Sequence, residues 1–288
     1  MCTLGEKITV VKKVTILCIV FQTLLFSCKD NSPDKAPSTL NDLPKDTGGV
    51  HKAIYLGADS SPYGYYLYTP SAYTSNGPKF PLLVFLHGSG ETGNSQITPS
   101  ALDKVLSNGP PRLVMNGTWA PRYPMIVASA QCHDGWWDAN KVHQFIEFLY
   151  SSYRVDTVHI YLTGLSMGGF GTYDQLTVFG AKSHLAAAVP IAGSGFINAD
   201  NTKKASQVPF WAFHGADDPT VSPDFDKSFI PAVNALKPLV PAKLTMYPAT
   251  GHDSWTKTYD GTGMGKEDPA YDPFKMDIYT WMFQHSRK

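Results

Sequence analysis

Apolar β-like runs alternating with helix-like stretches predict an α/β domain built on a mostly parallel sheet with helices on both faces. Two observations carry this reading. The runs Phe80–Leu86, Met125–Ser129, His159–Thr163, Ala186–Ile191, Pro209–Phe213 and Lys243–Tyr247 form a set. Their mainly apolar character, clearest in Phe80–Leu86, suits strands buried on both faces. Between them, Asn140–Tyr153 places Val142, Phe145, Ile146 and Leu149 on one helical face, with Asp138 positioned to cap its start. The 288 residues, 43% of them hydrophobic, are enough to bury one large core.

Taken in chain order, Lys7, Lys12 and Lys13 precede the mostly apolar run Val14 to Phe26. Thirteen residues are too few to cross a hydrocarbon core, and the basic-apolar-small order reads as a secretory signal over residues 1–27. Leu25-Phe26-Ser27-Cys28 resembles a bacterial lipobox, although Phe26 is bulky for its position. That resemblance implies lipid on Cys28 as the first mature residue, and an exported protein of the periplasm or cell surface touching membrane only through the anchor. A plain signal cleaved elsewhere, or an uncleaved N-terminal anchor, is the alternative. Residues 28–49, with Pro33, Pro37 and Pro44 among polar neighbours, read as a flexible tether, and residues 50–288 as the folded domain. The domain opens with β-like runs at Lys52–Leu56 and Tyr63–Tyr68. Further helices are expected at Phe170–Phe179, Ser222–Leu236 and Tyr271–His285. The spacing between strands leaves no long insertion, so no cap domain is expected and the site should be open.

Composition narrows the function. Lys+Arg and Asp+Glu are equal at 24 each, and no basic stripe gives a nucleic acid a footing. Of the four cysteines, Cys2 and Cys18 fall in the signal segment and Cys28 at its end, which leaves Cys132 as a buried structural thiol and no disulfide framework. No His-x-x-x-His or Cys-x-x-Cys spacing is present, so no metal or other cofactor is expected and activity should resist chelators.

The chemistry-bearing signal is Gly164-Leu-Ser-Met-Gly168, followed by Gly169, at the end of the His159–Thr163 run. A serine on a sharp strand-to-helix turn leaves little room for side chains on its neighbours, and this G-x-S-x-G pattern presents Ser166 Oγ above the sheet. A serine needs a base, and the base an orienting carboxylate. His252 follows Gly251 after the last β-like run. Asp217 and Asp218 follow the Pro209–Phe213 run, and Asp218 is preferred because His-Gly-x-x-Asp-Pro-x-Val places it there. The chain order Ser166, Asp218, His252 is one in which these three roles recur. An oxyanion would be met by the Met167 N–H and by a second N–H from His87-Gly-Ser-Gly-Glu91, at Ser89 or Gly90. The segment from Gln131 to Ala139, with Trp136 and Trp137, is the expected substrate wall; Gln131, Trp136 and Trp137 are candidate substrate contacts, although the tryptophans could instead fill the core.

From about Tyr63 to His285 the chain resembles the α/β-hydrolase superfamily, and within it the secreted esterases related to feruloyl and acetylxylan esterases, a carbohydrate esterase family 1-like group also described as predicted peptidases. The segments that carry the resemblance are Tyr65–Pro70, Leu86–Glu91, Tyr153–Asp156 with Ile160–Gly164, Ser166–Gly169 and Gly251–Trp255. It implies Ser166 as nucleophile, His252 as base and Asp218 as orienting acid, acting on a small-molecule or polysaccharide ester. The chain departs from the pattern after Trp255, where Gly261–Pro269 enlarges the connection to the last helix. A peptidase of the same fold and a non-catalytic glycan-binding lipoprotein are the alternative readings.

Overall fold

The central strands form where the chain has too few polar residues to face water on either side. The computed structural model describes residues 40–287; the signal segment, Cys28 and the tether up to residue 39 lie outside the described residues. The described elements are β1 (Val50–Ile54), β2 (Gly64–Thr69), β3 (Phe80–Leu86), α1 (Gly109–Met115), β4 (Ile126–Gln131), α2 (Ala139–Ser152), β5 (Val155–Leu165) and α3 (Met167–Asp174). They continue as β6 (Ala187–Ile191), α4 (Ala199–Ala205), β7 (Trp211–Gly215), α5 (Asp224–Ala235), β8 (Lys243–Tyr247), α6 (Trp255–Tyr259) and α7 (Ile278–Met282).

The eight strands form one sheet in the order β1-β2-β4-β3-β5-β6-β7-β8. β1 pairs antiparallel with β2, and β2 antiparallel with β4; every later pairing is parallel. The expected mostly parallel α/β sheet is therefore present. Every residue of β3 is buried, and its alternate side chains feed two different cores. Leu82, Val84 and Leu86 join Ile160 and Leu162 against Val142, Phe145, Ile146 and Leu149 of α2. Leu83 and Phe85 join Tyr161, Val189 and Phe213 against Ile278 and Met282 of α7. A strand with apolar residues on both faces is stable only when both faces are covered, and here helices cover both.

The expected helices are found with shifted limits. α2 starts where the Asp138 side chain accepts the Lys141 N–H. The stretch after Ser166 is α-helical to Asp174 and then continues as a π-turn over Gln175–Phe179. The helix expected over Tyr271–His285 is reduced to α7, a correction with a clear cause. Residues 268–272 run along β8, the free edge of the sheet: Asp268 N and Asp272 N donate to the Met246 and Leu244 carbonyls, each at 2.8 Å, and Leu244 N donates to Asp272 Oδ2 at 2.9 Å. Edge-strand polar groups without a neighbouring strand need such partners. The Asp277 cap then starts α7 at Ile278.

The expected tether also ends earlier than residue 49. Asp46 accepts the Tyr68 hydroxyl at 2.7 Å and the Ser71 N–H at 3.1 Å, Thr47 N donates to Ser71 Oγ, and Leu43 packs on the core. Residues 40–49 therefore belong to the domain surface. Among the described residues no helix is long and apolar enough to cross a membrane.

Candidate active site

Ser166 stands at the junction of β5 and α3 with φ 52° and ψ −118°, a backbone conformation that L-residues avoid. Two contacts hold it there. Its N–H donates to the Ile191 carbonyl of β6 at 2.9 Å, and its carbonyl accepts the Phe170 N–H at 3.0 Å. The turn is also pressed against β3. A Cβ on Gly168 would lie 1.9 Å from the Leu86 carbonyl oxygen, and one on Gly164 would lie 2.2 Å from the Gly168 carbonyl oxygen. The glycines of the pattern are thus required by close approach, with no positive φ involved.

His252 and Asp218 arrive from the ends of β8 and β7. The two loops touch at Gly215, where a Cβ would meet the Gly251 and Thr250 carbonyl oxygens at 2.2 and 2.3 Å. His252 Nε2 lies 2.8 Å from Ser166 Oγ, and Nδ1 lies 2.7 Å from Asp218 Oδ2. The other carboxylate oxygen, Oδ1, accepts the Thr220 and Val221 N–H groups at 2.8 and 3.0 Å. Burial would raise the Asp218 pKa, but the hydrogen bonds from His252, Val221 and Thr220 outweigh it and hold the carboxyl below its ordinary value. An ionised Asp218 fixes the His252 proton on Nδ1, leaving the Nε2 lone pair toward Ser166 Oγ. Asp217, the other candidate acid, has its N–H bonded to the Thr250 carbonyl, while its neighbour makes the contact with His252.

No family model matches the chain. Over 155 residues, 53% of its length, the chain is 29% identical to a bifunctional acetylxylan esterase/xylanase of Neocallimastix patriciarum, of which the match spans 21%. The chain therefore covers about a fifth of that curated relative's length. Among solved structures, a thermostable esterase superposes with a TM-score of 0.59 at 24% identity, covering 83% of this chain and 63% of that one. The feruloyl esterase module of Clostridium thermocellum, complexed with sinapinate, gives 0.54 at 17% identity, with coverage of 79% and 89%. A carbohydrate esterase from gut microbiota gives 0.52 at 15%, with coverage of 84% and 99%.

This is the α/β-hydrolase fold. In a sheet of this kind functional groups collect at the carboxyl ends of the parallel strands, and Ser166, Asp218 and His252 follow β5, β7 and β8. The loop after β3 in this α/β-hydrolase fold contributes Gly88, whose Cβ, if present, would lie 3.5 Å from Ser166 Cβ. Ser89 therefore follows directly on the backbone that lies beside the serine. A Cβ on Gly90 would meet nothing within 4 Å, so that residue faces open space.

Two expected substrate contacts are corrected. Trp137 is 1% exposed, with its indole N–H donated to the His87 carbonyl at 3.0 Å and its ring edge-on to Tyr63. Gln131 is equally buried and donates its amide to the Glu91 and Ala101 carbonyls. Both brace the loop after β3 through these hydrogen bonds to its carbonyls. Trp136 differs: it is 51% exposed and lies edge-on to Phe170, one turn of helix beyond Ser166. Cys132 is buried, and burial raises its pKa, as suits a structural thiol.

Further side chains support the site. His87 is buried; Nδ1 faces the Gly88 carbonyl and Nε2 accepts the Cys132 N–H, so the neutral ring has its proton on Nδ1, and burial lowers its pKa to about 4. Trp255 stands edge-on to His252 with ring centroids 5.0 Å apart and points its N–H at Asn108 Oδ1, 3.4 Å away. Asn108 in turn donates to Glu91 Oε1 at 2.6 Å. Beyond Asn108 opens a cavity of about 520 Å³ lined by Arg112, Trp119, Asp260, Gly261 and Met264, so the enlarged connection after Trp255 edges this neighbouring hollow.

Among the described residues, His143, Glu147 and His184 also converge. Arg287 Nη1 lies 3.3 Å from His184 Nδ1. A guanidinium only donates, so that nitrogen accepts and the ring proton sits on Nε2, facing Glu147 Oε1 at 3.4 Å. In this arrangement His184 offers no free lone pair.

The close approach of Gly168 to β3 makes a direct prediction. Gly168→Ala should displace the Ser166 turn and slow fluorophosphonate labelling of Ser166 by about 100-fold or more, with a lowered melting temperature. Labelling at the parental rate would contradict the argument.

Proposed function

We propose that the protein is a serine hydrolase of carboxylic esters, with Ser166 as nucleophile, His252 as general base and Asp218 as orienting acid. The observation that carries the reading is the unbroken contact series from Ser166 Oγ to His252 Nε2 at 2.8 Å and from His252 Nδ1 to Asp218 at 2.7 Å. His252 takes the hydroxyl proton as Ser166 attacks the ester carbonyl. The resulting imidazolium is stabilised by Asp218, and the same proton then passes to the departing alkoxide. The Met167 N–H, at the first position of α3, and the Ser89 N–H meet the developing oxyanion; the approach of Gly88 to Ser166 favours Ser89 over Gly90. Water attacks the acyl-enzyme with His252 again as base, which restores the serine.

The substrate we propose is an acylated carbohydrate or an aryl ester. The names of the acetylxylan esterase relative and of the feruloyl esterase module support it, as does the exposed Trp136 face near Ser166, on which a sugar or aromatic ring can stack. We also propose that the chain is exported and lipid-modified at Cys28, on the strength of Leu25-Phe-Ser-Cys28 after the apolar segment.

Three outcomes are expected. With aryl acetate and feruloyl ester substrates, Ser166→Ala and His252→Ala should each lower kcat by about 1000-fold or more, and retained turnover in Ser166→Ala would refute the nucleophile. Trp136→Ala should raise KM about 3- to 10-fold for a feruloyl or acetylated-sugar ester, corresponding to roughly 0.5–1.5 kcal/mol of stacking, with kcat little changed. An unaltered KM would remove Trp136 from the substrate wall. Expression with labelled palmitate should mark the full chain and leave Cys28→Ser unmarked; equal incorporation would place any lipid elsewhere.

A further inference from the structure

Behind Asp218 lies a second histidine. His214, in β7, has a fully buried side chain. Its Nδ1 lies 2.6 Å from Asp226 Oδ2 of α5, and its Nε2 lies 2.9 Å from the Val221 carbonyl and 3.2 Å from Asp218 Oδ2. A carboxylate and a carbonyl only accept, so a ring facing one through each nitrogen has to donate from both and is an imidazolium. Tyr173 of α3 donates its hydroxyl to the other Asp226 oxygen. A buried cation is tolerated only when paired, and His214 has a carboxylate on each side. Burial lowers its pKa, yet Asp226 most of all, with Val221 and Asp218, reverses this and the pKa is raised.

Asp218 Oδ2 is therefore shared. It accepts the His252 Nδ1 proton and at the same time faces the His214 cation. We propose that His214, held between Asp226 and Asp218, is a positioning residue for His252: its charge fixes the Asp218 carboxylate and limits how strongly that carboxylate stabilises a protonated His252. The inference rests on the reading of Ser166, His252 and Asp218 as a catalytic triad.

The groups facing this pair come from every neighbouring element. Asp226 approaches from α5 and Tyr173 from α3; Asp218 lies between the two histidines, and Ser166 and Trp255 flank His252. The charges next to His252 are turned elsewhere: Asp253 bonds Thr256, and Lys257 donates to Thr250 Oγ1 at 3.0 Å.

The test is a ring-nitrogen NMR titration of the histidines in the full chain, paired with the pH dependence of fluorophosphonate labelling. In the parental protein His214 should carry a proton on both nitrogens at neutral pH. In His214→Gln the His252 midpoint should rise by about 0.5–1 pH unit, and the acid limb of labelling should move with it; Asp226→Asn, which removes a negative charge along with the His214 cation, should move it in the same direction by less. The double variant should move it no further. An unchanged His252 midpoint in a folded variant, or a neutral His214 ring in the parental protein, would overturn the proposal; the second measurement decides even where neither variant folds. Ester turnover retained in Ser166→Ala would instead overturn the triad reading, and the His252 titration would remain readable.

Discussion

The arrangement depends on one constraint, the forced backbone of Ser166 between β5 and α3. A non-glycine residue at φ 52° and ψ −118° costs on the order of 1–3 kcal/mol, and it persists only where neighbours leave no alternative. Here β6 takes its N–H through Ile191, and β3 lies so close to Gly168 that the turn has no room to relax. Both neighbours are interior strands of the sheet, buried on both faces, so the packing of the two cores against β3, β5 and β6 is what holds the serine out. The helix that follows begins at Met167 and leaves its first N–H groups without intrahelical partners, directly beside the hydroxyl.

A second theme is polar satisfaction in a dry setting. From Ser166 the contacts pass through His252 to Asp218, then His214, Asp226 and Tyr173, and Tyr173 lies on the helix that Ser166 begins. The series closes on itself. In a low-dielectric interior each charge in such a series is expensive alone and stable only with its neighbours present, so the geometry of the serine end depends on groups that never approach a substrate. The loop after β3 is braced in the same manner by Trp137, Gln131 and His87, which are buried and hydrogen-bonded to its carbonyls or at its ends.

Several elements were legible from the chain alone. β3 and β8 have the limits that their apolar runs gave, and α2 begins at the cap that Asp138 offered. Ser166, Asp218 and His252 were chosen by pattern and chain order and are brought within hydrogen-bond distance. What misled was the fate of residues with two plausible uses. Trp136 and Trp137 are adjacent and identical in type, yet one faces solvent and the other fills the core, because the backbone turns one inward over Tyr63. Residues 271–277 lie outside a helix: Pro273 disfavours a helical Asp272, and Asp268 and Asp272 tie the chain to the free edge of β8. No local pattern reports which strand will be the edge.

The sequence by itself determined the alternation of buried strands and helices, and the residue types that can form a nucleophile, base and acid. Hydrophobic periodicity and glycine-flanked serine are local properties, so they survive without knowledge of the fold. Only the tertiary structure decided that Gln131 and Trp137 support rather than line the site, and that His214 and Asp226 stand behind Asp218. Those outcomes depend on contacts between residues far apart in the chain, such as the 86-residue separation of Ser166 and His252, and they exist only once the strands have taken their order in the sheet.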